Sequence, residues 1–123
     1  MSDKTNVVNL KDLYDLARGN NTFIVEMIDI FLEQNPADLE KMRLAIDKND
    51  FGTVKAMAHK MKTSVGFMGM KPLLEPLTEM ETMAEEAGKM PEITTLYKRI
   101  KGDCEMAIKE LQEVLIKIKS GIR

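Results

Sequence analysis

Apolar positions recur at helical spacing along almost the whole chain. Leu10, Leu13, Tyr14 and Ala17 fall at i, i+3, i+4 and i+7, one face of a short helix that Asn9 is placed to cap. Gly19, Asn20 and Asn21 then supply a stop and a new N-cap. A second stripe begins at Ile24, Met27, Ile28 and Phe31 and resumes at Leu39, Met42 and Ile46. Pro36 lies inside it; proline lacks a backbone donor and crowds the preceding turn, so the helix either kinks there or restarts with Asn35 as its cap.

After the polar turn formers "DKND", the positions Phe51, Val54, Ala58, Met61, Val65 and Met68 alternate spacings of three and four, the most regular stripe in the chain. Gly69 is expected to end that helix. Leu73, Leu77, Met80 and Ala84 mark a fourth, opened by Pro72 or Pro76 and closed at Gly88. Pro91 opens the last helix. Its core positions Ile93, Leu96, Ile100, Cys104, Ala107, Leu111, Leu115 and Ile118 run almost to the terminus, with Gly102 a local weakness. No strand pattern or repeat competes.

Four long amphipathic helices on short loops must bury their stripes against one another. The economical solution is an all-α fold, an antiparallel up-down four-helix bundle with a short additional N-terminal helix. The expected division is a loose arm over residues 1–8, the bundle over 9–119 and a short tail over 120–123.

Composition changes this picture little, since 123 residues suit one domain and the eleven methionines fall mostly at core spacing. Charge narrows the partners. Twenty acidic against eighteen basic residues leave a net charge of −2, with no field to draw in nucleic acid or anionic lipid. No apolar run is long enough for a bilayer and nothing resembles a signal peptide, so no membrane association is expected. Cys104 stands alone, which excludes an internal disulfide and a cysteine-rich zinc site and fits a reducing, cytoplasmic setting.

The candidate chemistry centres on the chain's single histidine. On a 100° helical wheel His59 lies roughly 130° from the centre of the third helix's core stripe, on the solvent side. Lys55 and Lys62 stand one turn to either side, and Thr63 and Gly66 continue the row. Two neighbouring ammonium groups disfavour an imidazolium, so a neutral, nucleophilic ring is expected near pH 7. The same lysines would attract a phosphoryl group and stabilise it on the ring, and the compact neighbours would admit another protein's surface.

Other chemistries lack their parts. A bundle di-metal site needs a Glu-x-x-His motif on each of two helices, but there is one histidine and Ala56 stands where the glutamate would be. Cys104 belongs to a core stripe and is not placed to pair with His59. No glycine-rich phosphate loop follows a strand, so ATP binding is not expected and any phosphoryl group must come from a partner. Geometry alone does not separate a reactive His59 from an idle histidine on a polar face.

The stretch "AHKMKTSVGFMGM" resembles the signature of histidine-containing phosphotransfer (HPt) domains of multistep phosphorelays, with Ala58, His59, Met61, Lys62, Ser64 and Gly69 in register. The helix order over residues 9–119 resembles the same family. The resemblance implies a phosphoryl carrier without catalysis of its own. His59 would accept the group from a receiver-domain aspartate of a hybrid histidine kinase and pass it to that of a response regulator. Lys62 would be its electrostatic support; Lys55 is added by helical geometry alone.

The family often sets a polar residue from the following helix beside the imidazole, and by spacing that residue is Glu81. No cofactor of its own is implied, the magnesium ion residing on the receiver, and a monomer is expected because the nucleophile must stay accessible. Thr63 replaces the family's usual glycine and Val65 a second small residue; Thr63 sits on the docking face, whereas Val65 belongs to the core stripe. The alternative from another class is a helical adaptor that binds a receiver or kinase without carrying phosphate.

Overall fold

The computed structural model describes residues 7–121. They form five α-helices, α1 (Lys11–Ala17), α2 (Asn21–Asp47), α3 (Phe51–Phe67), α4 (Leu74–Glu86) and α5 (Met90–Lys119), with one 3-10 turn at Lys71–Leu73 before α4. No strand occurs among the described residues. Helix α3 packs on α2 and α4, and α5 packs on the same two, so the four long helices close around one core while α1 lies against α2.

Contacts across the core give the sense of two pairs. Asn35 Nδ2 donates to Cys104 Sγ at 3.5 Å and the Tyr97 hydroxyl donates to the Leu39 carbonyl at 3.3 Å, so numbers rise along α2 as they fall along α5. His59 meets Glu81 and Lys55 meets Glu85, which gives α3 and α4 the same opposed sense. The core itself is aliphatic and thioether-rich: Ile24, Ile28, Leu73, Leu77, Ile100 and Leu111 are fully buried, and so are Met42, Met61, Met70 and Met80. Each such side chain contributes roughly 1.5–3 kcal/mol by leaving water.

Local sequence explains the boundaries. The Asn20 side chain accepts from the Phe23 N–H at 3.1 Å and Asp50 from the Thr53 N–H at 3.1 Å, satisfying donors that the first turns of α2 and α3 leave open. Asn9 accepts from the Lys11 N–H at 3.0 Å. Pro36 neither ends α2 nor restarts it: the helix runs through. Pro36 faces solvent, where water can satisfy the carbonyl that its missing N–H strands.

Gly69 ends α3 with φ +64, and a Cβ there would lie 1.8 Å from the Asn9 carbonyl oxygen. Only glycine lets the chain before α1 seat so closely, and the Asn9 N–H donates to the Met68 carbonyl at 3.2 Å beside it.

Several expectations are corrected. Of the loose arm expected over residues 1–8, the last two residues are docked: Val7 is buried, and the N–H groups of Val7 and Val8 donate to the Glu110 carboxylate of α5 at 2.9–3.2 Å. A distant carboxylate docks this segment, which periodicity cannot reveal; residues 1–6 lie outside the described residues, as do 122 and 123 of the tail. Tyr14 is exposed, since so short a helix buries only Leu13 and Ala17. On α5, Leu96 packs half-buried against the core as its spacing predicts, and Tyr97 beside it is buried too, its hydroxyl donating to the Leu39 carbonyl. The left-handed residue closing α4 is Ala87 (φ 56), one before Gly88.

Candidate functional site

Helix α3 turns Val54, Met57, Ala58, Met61 and Val65 inward, and this fixes what its outer face carries. His59 follows Ala58, outside the stripe, and its side chain is 73% exposed. Glu81 reaches across from α4 and is far less exposed, at 19%. Its Oε2 lies 2.8 Å from His59 Nδ1 and its Oε1 lies 2.7 Å from Lys62 Nζ. One carboxylate therefore bridges the ring and the lysine.

Lys62 first, and His59 after it, hold the Glu81 carboxyl below the usual carboxylate range, against the opposing pull of burial. Glu81 is thus ionised at neutral pH and can only accept, so Nδ1 is the ring nitrogen that carries a hydrogen toward it, and in the neutral form of the ring the lone pair is on Nε2. The arrangement orients the imidazole by one nitrogen and leaves the other without a partner among the described residues.

The electrostatic frame expected around His59 is corrected in one respect. Lys62 and Lys55 are not a pair of free cations acting on the ring: Lys62 is held by Glu81, and Lys55 is paired with Glu85 of α4, which raises its pKa. The acids come from the next helix, so their pairing depends on how α3 and α4 pack and not on spacing within α3. On the other side, Lys60 Nζ meets Asp38 of α2 at 2.9 Å.

Thr63 and Gly66 are both exposed along the row beyond His59. A Cβ on Gly66 would touch nothing within 4 Å. Two hollows open beside this row. One, about 410 Å³, lies between α2 and α3, with Met27, Ile30, Thr63 and Phe67 in its wall and Lys60 and Asp38 at its edge. The other, about 480 Å³, lies between α1 and α3, bounded by Leu13, Leu16, Lys62, Thr63, Gly66 and Phe67. Thr63 and Phe67 form the ridge between them.

Phe67 is 45% exposed, Ile30 47% and Leu16 61%. Sequence reasoning did not single out these three. Phe67 carried a signal, being a large apolar residue one turn beyond Thr63 and off the core stripe; Ile30 and Leu16 did not stand apart from ordinary amphipathic neighbours.

Cys104, the other side chain with nucleophilic potential, is fully buried, and burial pushes its thiol up to about 11. It is inert packing beside Asn35. No helix among the described residues is long and apolar enough to cross a membrane. Compared with known proteins, the chain matches the family model described as Hpt domain over residues 26–119, a span that takes in α3 and α4 whole and leaves α1 outside. Neither a curated protein nor a solved structure matches it.

Proposed function

Because the chain belongs to the Hpt domain family, the phosphotransfer carriers of two-component phosphorelays, we propose that it takes a phosphoryl group on His59 from one receiver aspartate and hands it to another. The observation that carries this reading is the exposed His59 ring, with Nδ1 held by the ionised Glu81 and Nε2 left free. Family membership alone would not say which atom reacts.

In the transfer, the Nε2 lone pair attacks phosphorus of the aspartyl phosphate. The N–P bond forms as the P–O bond to the aspartate breaks, and that electron pair stays on the carboxylate. Lys62, within reach of the ring through their shared partner Glu81, offsets charge on the arriving phosphoryl oxygens. The receiver supplies the magnesium ion and most of the catalysis, and this chain supplies position. Lys55, tied to Glu85, adds only longer-range attraction.

Docking would use the apolar ridge at Thr63 and Phe67 with Ile30 and Leu16 around it, next to the reacting ring. Exposed apolar side chains beside a nucleophile suit a transient partner that must exclude water and then leave. The chain then acts as a cytoplasmic monomer, a four-helix bundle of alternating up and down helices, coupling a hybrid histidine kinase to a response regulator.

Incubation with phosphorylated receiver domains tests this. The expected result is an acid-labile, alkali-stable label that His59→Gln abolishes without unfolding the protein. Tight binding of a receiver with no label would make the chain an adaptor and overturn the proposal.

A further inference from the structure

Glu81 gives one oxygen to His59 and the other to Lys62, and that division has a consequence for the ring once it is loaded. When Nε2 of the Nδ1–H tautomer is phosphorylated, no proton leaves: the ring keeps its Nδ1 hydrogen and becomes cationic. In the return step an aspartate oxygen attacks phosphorus, the N–P bond breaks, its electron pair goes back to Nε2, and a neutral imidazole departs. If the Nδ1 proton has been lost to solvent in the meantime, the departing group is an imidazolate, a far poorer leaving group. A loaded ring as exposed as this one can pass its Nδ1 proton to solvent unless a partner retains it there.

We propose that Glu81 is a positioning residue that keeps the Nδ1 proton on the phosphorylated ring, so that the carried phosphoryl group stays transferable in both directions at neutral pH. This rests on the phosphorelay reading above and deepens it.

The charged surroundings of the ring are consistent with the role. Its Nδ1 is 2.8 Å from a carboxylate that is itself largely shielded from water, where charge–charge attraction is least screened. On α3 the nearby cations are Lys55, Lys60 and Lys62, and each has an anion: Glu85 and Glu81 from α4 face Lys55 and Lys62, and Asp38 of α2 faces Lys60. Asp12 of α1 lines the hollow that Lys62 also borders. The cations that would expel a proton from the ring are thus offset, and the carboxylate touching Nδ1 decides the balance. Lys62 draws on that same carboxylate and tempers it.

The chain has one histidine, so ring-¹⁵N labelling gives a spectrum with no overlap to resolve. The protein is loaded with phosphoramidate, a small donor that needs no receiver, and Nδ1 is titrated in the phosphorylated form. Glu81→Gln should lower the pH at which the loaded ring loses its proton by about one unit, a tenfold weaker hold. Lys62→Met should raise it. Hydrolysis of the phosphoryl group at pH 8 should slow about tenfold in Glu81→Gln, matching the smaller protonated fraction, and should match wild type at pH 5.

Opposite displacements in the two variants are not what a merely structural role for Glu81 would give. Coincident midpoints, or displacements in the same direction, overturn this inference while leaving His59 as the acceptor. A wild-type ring that takes no phosphorus at all overturns the phosphorelay reading along with it.

Discussion

The outer face of α3 has two unlike flanks. Toward α4, every charged group near His59 is paired: His59 and Lys62 with Glu81, Lys55 with Glu85. Toward α1 and α2, Phe67, Ile30 and Leu16 stand in water beside two hollows, and Gly66 leaves open space with no neighbour to fill it. The first flank is complete within the chain and the second is not. On the proposed reading, a reacting atom has to be oriented before a partner arrives, so its contacts would be internal, whereas a docking surface would keep its contacts for the partner.

That contrast can be broken from either side. The largest effect is expected from Gly69→Ala, which combines a left-handed backbone with a Cβ 1.8 Å from the Asn9 carbonyl. It should cost about 2–3 kcal/mol in denaturant unfolding. It should also free α1, one wall of the α1/α3 hollow, from its seat, detectable as faster amide exchange in Lys11–Ala17 with Glu81 contacts preserved. Equal exchange in both regions would show that α1 is not separately seated.

Phe67→Asp comes next. Placing a charge on the ridge should raise the KM for a phosphorylated receiver about 30-fold, the equivalent of about 2 kcal/mol at a central interface residue. An unchanged KM would remove the apolar flank from the docking surface. On the paired flank, Lys62→Ala should slow transfer about fivefold, since a charge-assisted contact that is only partly exposed is worth about 1 kcal/mol in the transition state. A change confined to KM would assign Lys62 to docking and not to the phosphoryl group.

The smallest effect is expected from Gly66→Ala. Alanine in place of a helical glycine, with nothing nearby to obstruct it, should stabilise the fold by roughly 0.5–1 kcal/mol, read as a higher melting temperature. Transfer from a receiver should slow at the same time. A variant that is both more stable and fully active would show that Gly66 has no bearing on docking.

The fold was largely legible because helix periodicity is a local property. The stripes at Ile24, Ile28 and Phe31, and at Val54, Ala58, Met61 and Val65, are buried where spacing put them, and the same wheel put His59 in solvent. Glu81 was reached through the family resemblance, which implies a polar residue from the following helix beside the ring, and it lies 2.8 Å from His59 Nδ1. What escaped depended on how helices meet. The pairing of Lys55 and Lys62 with Glu85 and Glu81 is set by the α3/α4 register, and the docking of Val7 and Val8 on Glu110 joins residues about a hundred positions apart. Leu16 and Ile30 look like any boundary residues until α1 and α2 are placed beside α3.

Which ring nitrogen takes the phosphorus decides the matter most directly. In ¹⁵N–³¹P correlation spectra of the protein loaded by a phosphorylated receiver, the phosphorus should be bonded to Nε2 of His59 while Nδ1 retains its hydrogen toward Glu81. Phosphorus on Nδ1, or a ring left unmodified by a receiver that binds it, would contradict the assignment.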